Sequence, residues 1–188
     1  MARCVIDTRE RDIDVMISAE AIARRCAELG AEIARDFAGE SLLVIGVLKG
    51  SFVFLADLVR HIDLDCGIDF LGVSSYGSRT KSSGVVRTTH DLSAPIKGRH
   101  VLLVEDIVDT GLTVKYLIDN MRTRQPRSVS VCSLLYKPAN QKIEVPLDYV
   151  GFTIPDAFVV GYGLDFDESY RNLPYIGVVE GDFAHEEE

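Results

Sequence analysis

Two stretches of this chain are apolar at every position, and that restricts the fold more than any other feature. Leu42-Leu43-Val44-Ile45-Gly46-Val47-Leu48 and Val101-Leu102-Leu103-Val104 hold no polar side chain. Runs of this length belong to strands of a parallel sheet covered by helices on both faces. Helical patterns lie where such a sheet needs them. Ile22, Cys26, Leu29, Ile33 and Phe37 recur at helical spacing. Ser18 suits the N-cap, Glu20 the first turn and Gly39 the stop. Ser51 to Ile62 predicts a second helix after a tight Lys49-Gly50 turn, and Val114, Leu117, Ile118 and Met121 mark one face of a third. Val129 to Leu135 and Ala157 to Val160 are further strand candidates. The alternation predicts an α/β fold, a mostly parallel sheet flanked by helices. Ligands in such folds bind beyond the carboxyl ends of the strands, and the polar loops 49–51 and 105–113 both fall at that edge.

Composition removes several function classes. With 188 residues, 47% hydrophobic and 26% charged, the chain is in the globular range, and residues 1–188 are expected to form a single domain. Lys and Arg number 20 against 29 Asp and Glu, a formal charge of −9, which leaves no basic stripe for nucleic acid or an anionic membrane. Glu180 to Glu188 carry five acids and no Lys or Arg, so 180–188 reads as a solvated acidic tail. No apolar run approaches the roughly 18 residues that span a bilayer. Arg9, Glu10, Arg11 and Asp12 stand where a signal peptide is apolar. Cys4, Cys26, Cys66 and Cys132 show no CxxC spacing, which predicts free thiols in a reducing cytoplasm and no structural zinc.

Common catalytic motifs fail. Gly46 to Ser51 does not supply a Walker A loop, Gly161-Tyr162-Gly163 meets Phe166 where a dinucleotide fingerprint needs its third glycine, and neither HExxH nor GxSxG occurs. The strongest signal is Val101-Leu102-Leu103-Val104-Glu105-Asp106-Ile107-Val108-Asp109-Thr110-Gly111-Leu112-Thr113. A buried strand that ends in two adjacent carboxylates must offer them to water, a metal or hydroxyls, because burying them unpaired is prohibitively expensive. The Asp109–Thr113 turn enters a helix whose first N–H groups, with the Thr110 and Thr113 hydroxyls, suit a phosphate. Acids for a diol beside donors for a phosphate describe a phosphorylated ribose. An acidic pair before a helix and an N-capping Asp109 would account for the same residues without any ligand. Tyr76 to Gly84, rich in Gly and Ser, reads either as a disordered hairpin loop or as a lid over a ligand.

That thirteen-residue run resembles the 5-phosphoribosyl-1-pyrophosphate (PRPP) motif of the type I phosphoribosyltransferases. Other segments resemble the hypoxanthine-guanine members. These are Leu48-Lys49-Gly50-Ser51, Ser75-Tyr76, Leu134 to Pro138, Pro155 to Asp165, and Asp167 to Leu173; the likeness runs from about Val5 to Val179. The resemblance implies a small hood of terminal segments above the sheet. It implies that Glu105 and Asp106 hold the ribose hydroxyls and help organise Mg2+, that Asp109 faces N7 of the purine as general acid/base, and that Asp109, Thr110, Gly111, Leu112 and Thr113 bind the 5′-phosphate. Lys49, Gly50 and Arg171 would receive pyrophosphate, in a loop whose peptide bond can be cis in this family. Lys137 would donate to the purine 6-oxo group, Phe158 would stack on the ring, the Val159 backbone would read the opposite edge, and Asp165 would ligate magnesium. Ser75 and Tyr76 would begin the lid. Leu112 stands where some members carry lysine, and His90 has no assignable role.

The chemistry of the residue types agrees. Pyrophosphate leaving the ribose C1 needs positive neighbours, which Lys49 and magnesium supply. Lys137 is purely a donor and so favours 6-oxopurines over adenine. The expected activity is conversion of hypoxanthine or guanine plus PRPP to IMP or GMP plus pyrophosphate; xanthine stays open as a substrate. The resemblance also implies a homodimer or homotetramer. The competing reading is a noncatalytic nucleotide sensor on the same fold, for which a basic face and loss of Asp109 or Lys49 would speak. The sequence has neither.

Overall fold

Residues Leu42–Leu48 (β2) and His100–Val108 (β5) lie side by side in parallel, with Leu43 opposite Val101 and Ile45 opposite Leu103. Their side chains alternate between two cores. Leu42, Val44, Leu102 and Val104 enter one, and Leu43, Ile45, Val101 and Leu103 enter the other. This is why neither strand could carry a polar face. In this computed structural model the described residues are 13–76 and 85–179. Cys4, the lid loop beyond Tyr76 and the acidic tail 180–188 lie outside them.

Gly67–Tyr76 (β3) and Val85–His90 (β4) extend the sheet beyond β2, and Ser128–Tyr136 (β6) and Tyr149–Thr153 (β7) extend it beyond β5. The order is β4-β3-β2-β5-β6-β7, parallel throughout except for β4 against β3. Ala19–Asp36 (α1) and Phe52–Leu58 (α2) cover one face, and Leu112–Thr123 (α3) covers the other. Ser18 caps α1 by accepting from the Ala21 N–H at 3.3 Å, and Ile22, Cys26, Leu29 and Ile33 are buried as their spacing predicts. Val114, Leu117, Ile118 and Met121 of α3 are likewise buried. The second helix is shorter than its pattern suggested, and Val59–His61 tightens into a 3-10 turn.

A second, three-stranded antiparallel sheet is the hood. Ile13–Ile17 (β1), Ile176–Val179 (β9) and Val159–Val160 (β8) run in the order β1-β9-β8. Ile17, Val159 and Ile176 join the core of α1 and α2, so the hood packs on that side of the molecule. The strand expected near Ala157 to Val160 therefore belongs to the hood and not to the parallel sheet. Cys26 and Cys132 are buried free thiols, and Cys66 is a partly buried one. Among the described residues no helix is long and apolar enough to cross a membrane.

Candidate active site

Three segments meet where β2 and β5 end. The Leu48–Lys49 peptide bond is cis, and the loop it opens packs so closely on β5 that a Cβ at Gly50 would fall on the Asp106 carboxylate. Gly163, with φ +103°, approaches from the hood side, where a Cβ would strike the Gly50 carbonyl oxygen. Ser51 anchors the loop from beneath by donating to the Val47 carbonyl at 2.7 Å.

Glu105 is buried, and its Oε1 has no hydrogen-bond partner. Burial first and the Asp106 charge second push its carboxyl well above the ordinary range. Burial also raises Asp106 to about 6, against the Ile107 N–H that its Oδ1 accepts at 2.9 Å and against the field of Arg171; Asp165 adds to the rise. Two adjacent carboxyls, one of them buried with an unpartnered oxygen, call for a cation or for hydroxyl donors. Asp109 lies next along the chain, and its Oδ1 is also buried without a partner.

The turn that follows is shaped by its neighbours. Gly111 sits at φ +80° before α3, a conformation in which glycine carries no Cβ penalty, and a Cβ there would strike the Ile143 carbonyl. The Thr110 carbonyl accepts from the N–H groups of Lys142 at 3.0 Å and Ile143 at 3.2 Å. Its hydroxyl accepts from the Leu112 N–H at 3.4 Å. Unlike α1, α3 has no side-chain cap and no acid in its first turn. Its first N–H groups, of Leu112 and Thr113, lie at the loop, where a helix N-terminus suits an anion.

Lys137 follows β6 directly. Its N–H donates to the Val108 carbonyl at 2.9 Å, which sets it beside Asp109, and the residue is only 8% exposed. Its ammonium lies 3.9 Å from Asp156 Oδ1, which Asn140 Nδ2 already holds at 2.7 Å. Phe158 is 40% exposed and meets Phe166 edge-on at 5.6 Å. Val159 pairs with Val178 on one side only, because β8 is the edge of the hood sheet. Among the described residues no strand pairs with the other backbone edge of Val159.

Arg171 closes the site. Its Nη1 donates to the Gly163 carbonyl at 2.8 Å and its Nη2 pairs with Asp165 Oδ1 at 2.8 Å, while its Nε is buried without a partner. Lys49 pairs with Glu168 at 3.1 Å. The structure thus gathers Lys49, Gly50, Glu105, Asp106, Asp165 and Arg171 in one place, and sets Lys137 beside Asp109. Ser75 and Tyr76 end β3, opposite Val86 and Val85. Sequence reasoning missed Glu168 and Asp156, the partners of two cations it had singled out.

The model of the phosphoribosyl transferase domain matches residues 16–167. This chain belongs to the phosphoribosyltransferase family. As a phosphoribosyltransferase it is 49% identical over 172 residues to the hypoxanthine-guanine phosphoribosyltransferase of Bacillus subtilis, covering 91% of this chain and 96% of that one. It is 54% identical over 172 residues to the enzyme of the same name from Mycobacterium avium, covering 88% and 85%. Among solved structures, a hypoxanthine-guanine phosphoribosyltransferase from Bacillus anthracis with HEPES in its active site superposes with a TM-score of 0.86 at 48% identity, over 91% of this chain and 100% of that one.

Proposed function

We propose that this phosphoribosyltransferase salvages purines, transferring the phosphoribosyl group of PRPP to hypoxanthine or guanine with release of pyrophosphate. The observation that carries this is the join between β5 and α3. There Glu105, with an orphaned Oε1, and its neighbour Asp106 suit a ribose diol, and they stand close along the chain to a helix N-terminus that has no acid in its first turn and suits the 5′-phosphate. The names of the relatives supply the base class.

Each remaining group has a task in that reaction. Asp109, with its orphaned Oδ1, takes or gives the proton at purine N7. Lys137 donates to the 6-oxo group, Phe158 offers a stacking face, and the unpaired backbone edge of Val159 reads the far side of the base. Lys49, Gly50 and Arg171 receive pyrophosphate. The acids also fit magnesium, which takes hard oxygen donors. Among the described residues no three His, Cys, Asp or Glu side chains converge as a ready metal cage. Glu105, Asp106 and Asp165 would therefore hold the ion only together with substrate oxygens and water, as magnesium at phosphates ordinarily is held. When bound, it would offset charge on the leaving group. The enzyme is proposed to act in the cytoplasm as a homodimer or homotetramer, which sedimentation of the purified chain checks.

The deciding experiment measures pyrophosphate release from PRPP and magnesium with hypoxanthine, guanine, xanthine and adenine in parallel. Turnover with hypoxanthine or guanine is expected, and adenine should be rejected. A folded protein that binds PRPP but turns over none of the four would instead be a nucleotide sensor.

A further inference from the structure

One carboxylate lies across two cations of the site. Glu168 Oε1 and Oε2 accept from the Lys49 ammonium at 3.2 and 3.1 Å, and Oε2 is 3.8 Å from Arg171 Nη2. Lys49 is the cause of the lowered Glu168 carboxyl, first through that hydrogen bond and then through its charge. The neighbouring acid is engaged differently. Asp165 is 29% exposed, pairs with Arg171 at 2.8 Å, and its Oδ2 accepts from the Glu168 N–H at 2.8 Å, so it is tied into the turn. The Glu168 side chain is 67% exposed, and among the described residues its carboxylate pairs with Lys49 and Arg171.

The backbone presents it there. Asp167 at φ +50°, Glu168 at +63° and Tyr170 at +72° all occupy the left-handed region that residues with a Cβ enter at a cost. Mutual hydrogen bonds between Phe166 and Ser169, at 3.2 and 3.0 Å, close this turn. This turn carries the exposed Glu168 carboxylate toward Lys49 and Arg171.

We propose that Glu168 is an internal stand-in for pyrophosphate: it neutralises Lys49 and Arg171 in the ligand-free enzyme, gives way when PRPP binds, and returns to displace pyrophosphate after transfer. This rests on the reading that Lys49 and Arg171 form the pyrophosphate subsite. A multiply charged diphosphate outcompetes one exposed carboxylate, so binding survives, but every binding event must first break the Glu168 contacts. The consequence is weaker retention of both PRPP and the inorganic product.

The test compares the parent enzyme with Glu168→Gln, Lys49→Met and the double variant, reading KM for PRPP and inhibition by pyrophosphate. Direct calorimetric binding of magnesium pyrophosphate gives the same comparison without turnover. Glu168→Gln is expected to tighten PRPP and pyrophosphate about two- to fivefold, the range an exposed ion pair supplies, with KM for the base unchanged. In the Lys49→Met background that gain should shrink by at least half. A Glu168→Gln enzyme in which both ligands bind as before, or more weakly, overturns the proposal, since a merely structural glutamate would loosen the site when altered. If Lys49→Met itself leaves pyrophosphate binding intact, the subsite reading falls and takes the proposal with it.

Discussion

Asp106 works against the ligand-free fold and in favour of the ligand. Its carboxyl is raised from 3.8 to about 6 by burial, so the folded chain holds that proton more tightly than the unfolded one. The stability this group contributes is full below pH 3.8 and is lost as pH rises through about 6. Asp106→Asn should therefore melt higher than the parent at pH 7.5 without magnesium or PRPP, the two curves meeting near pH 4, while losing PRPP affinity. Scanning calorimetry across that range checks it, and equal melting at both ends would refute the assignment. Asp109 is the converse case, proposed to serve the proton and not the sugar. Asp109→Asn should lower turnover by about 10²–10⁴-fold, the usual worth of a positioned acid/base, with PRPP binding kept; unchanged turnover would remove it from the chemistry. Lys137 is buried beside an Asp156 that Asn140 also holds, and it is proposed to donate to the base. Lys137→Ala should cut the preference for hypoxanthine over adenine by about 1–3 kcal/mol, roughly five- to 150-fold. Competition between the two bases measures this, and an unaltered ratio would assign 6-position reading elsewhere.

The two site loops depend on backbone approach as much as on side chains. Gly163 combines φ +103° with contact on the Gly50 carbonyl, so Gly163→Ala meets both a left-handed Cβ penalty and a clash with main chain that cannot swing aside. It should part Lys49 from Arg171 and raise KM for PRPP by about tenfold or more, about 1.4 kcal/mol, while leaving KM for the base nearly as it was. Steady-state kinetics with each substrate varied in turn shows whether the base subsite is spared. These segments also show what the amino-acid order makes legible. β2 and β5 are plain because both of their faces are buried, and α1 and α3 because one face of each is; both patterns need only local spacing. β7 was not foreseen: it is an edge strand interrupted by Gly151, with only Tyr149 fully buried. The placing of β8 in the hood was hidden too, because two valines carry no mark of the sheet they will join. The β5–α3 acids and turn were legible because their chemistry is contiguous. The Glu168–Lys49 pair was not, since it spans 119 positions and depends on left-handed residues that no spacing rule announces.

The proposed nucleotide contacts are divided between two sheets. The ribose and phosphate groups face the β5–α3 join of the six-stranded sheet, and the base faces β8 in the three-stranded hood. The hood is the smaller partner, with β8 only two residues long and free along one edge. Such a sheet opens at less cost than the parallel core. On the proposed contacts, free hypoxanthine would touch the hood and Lys137, ribose 5-phosphate would touch the other sheet, and IMP would join both. IMP at about 100 times its dissociation constant stabilises the native state by about 2.7 kcal/mol, which for a chain of this size corresponds to roughly 5–10 °C in Tm. The bridging is read by amide hydrogen exchange. Amides of β8 and β9 should slow markedly with IMP and only slightly with ribose 5-phosphate, at concentrations giving equal fractional occupancy. Equal protection of the hood by the two ligands would mean that the base makes no contact there, and would remove Phe158 and Val159 from the purine site.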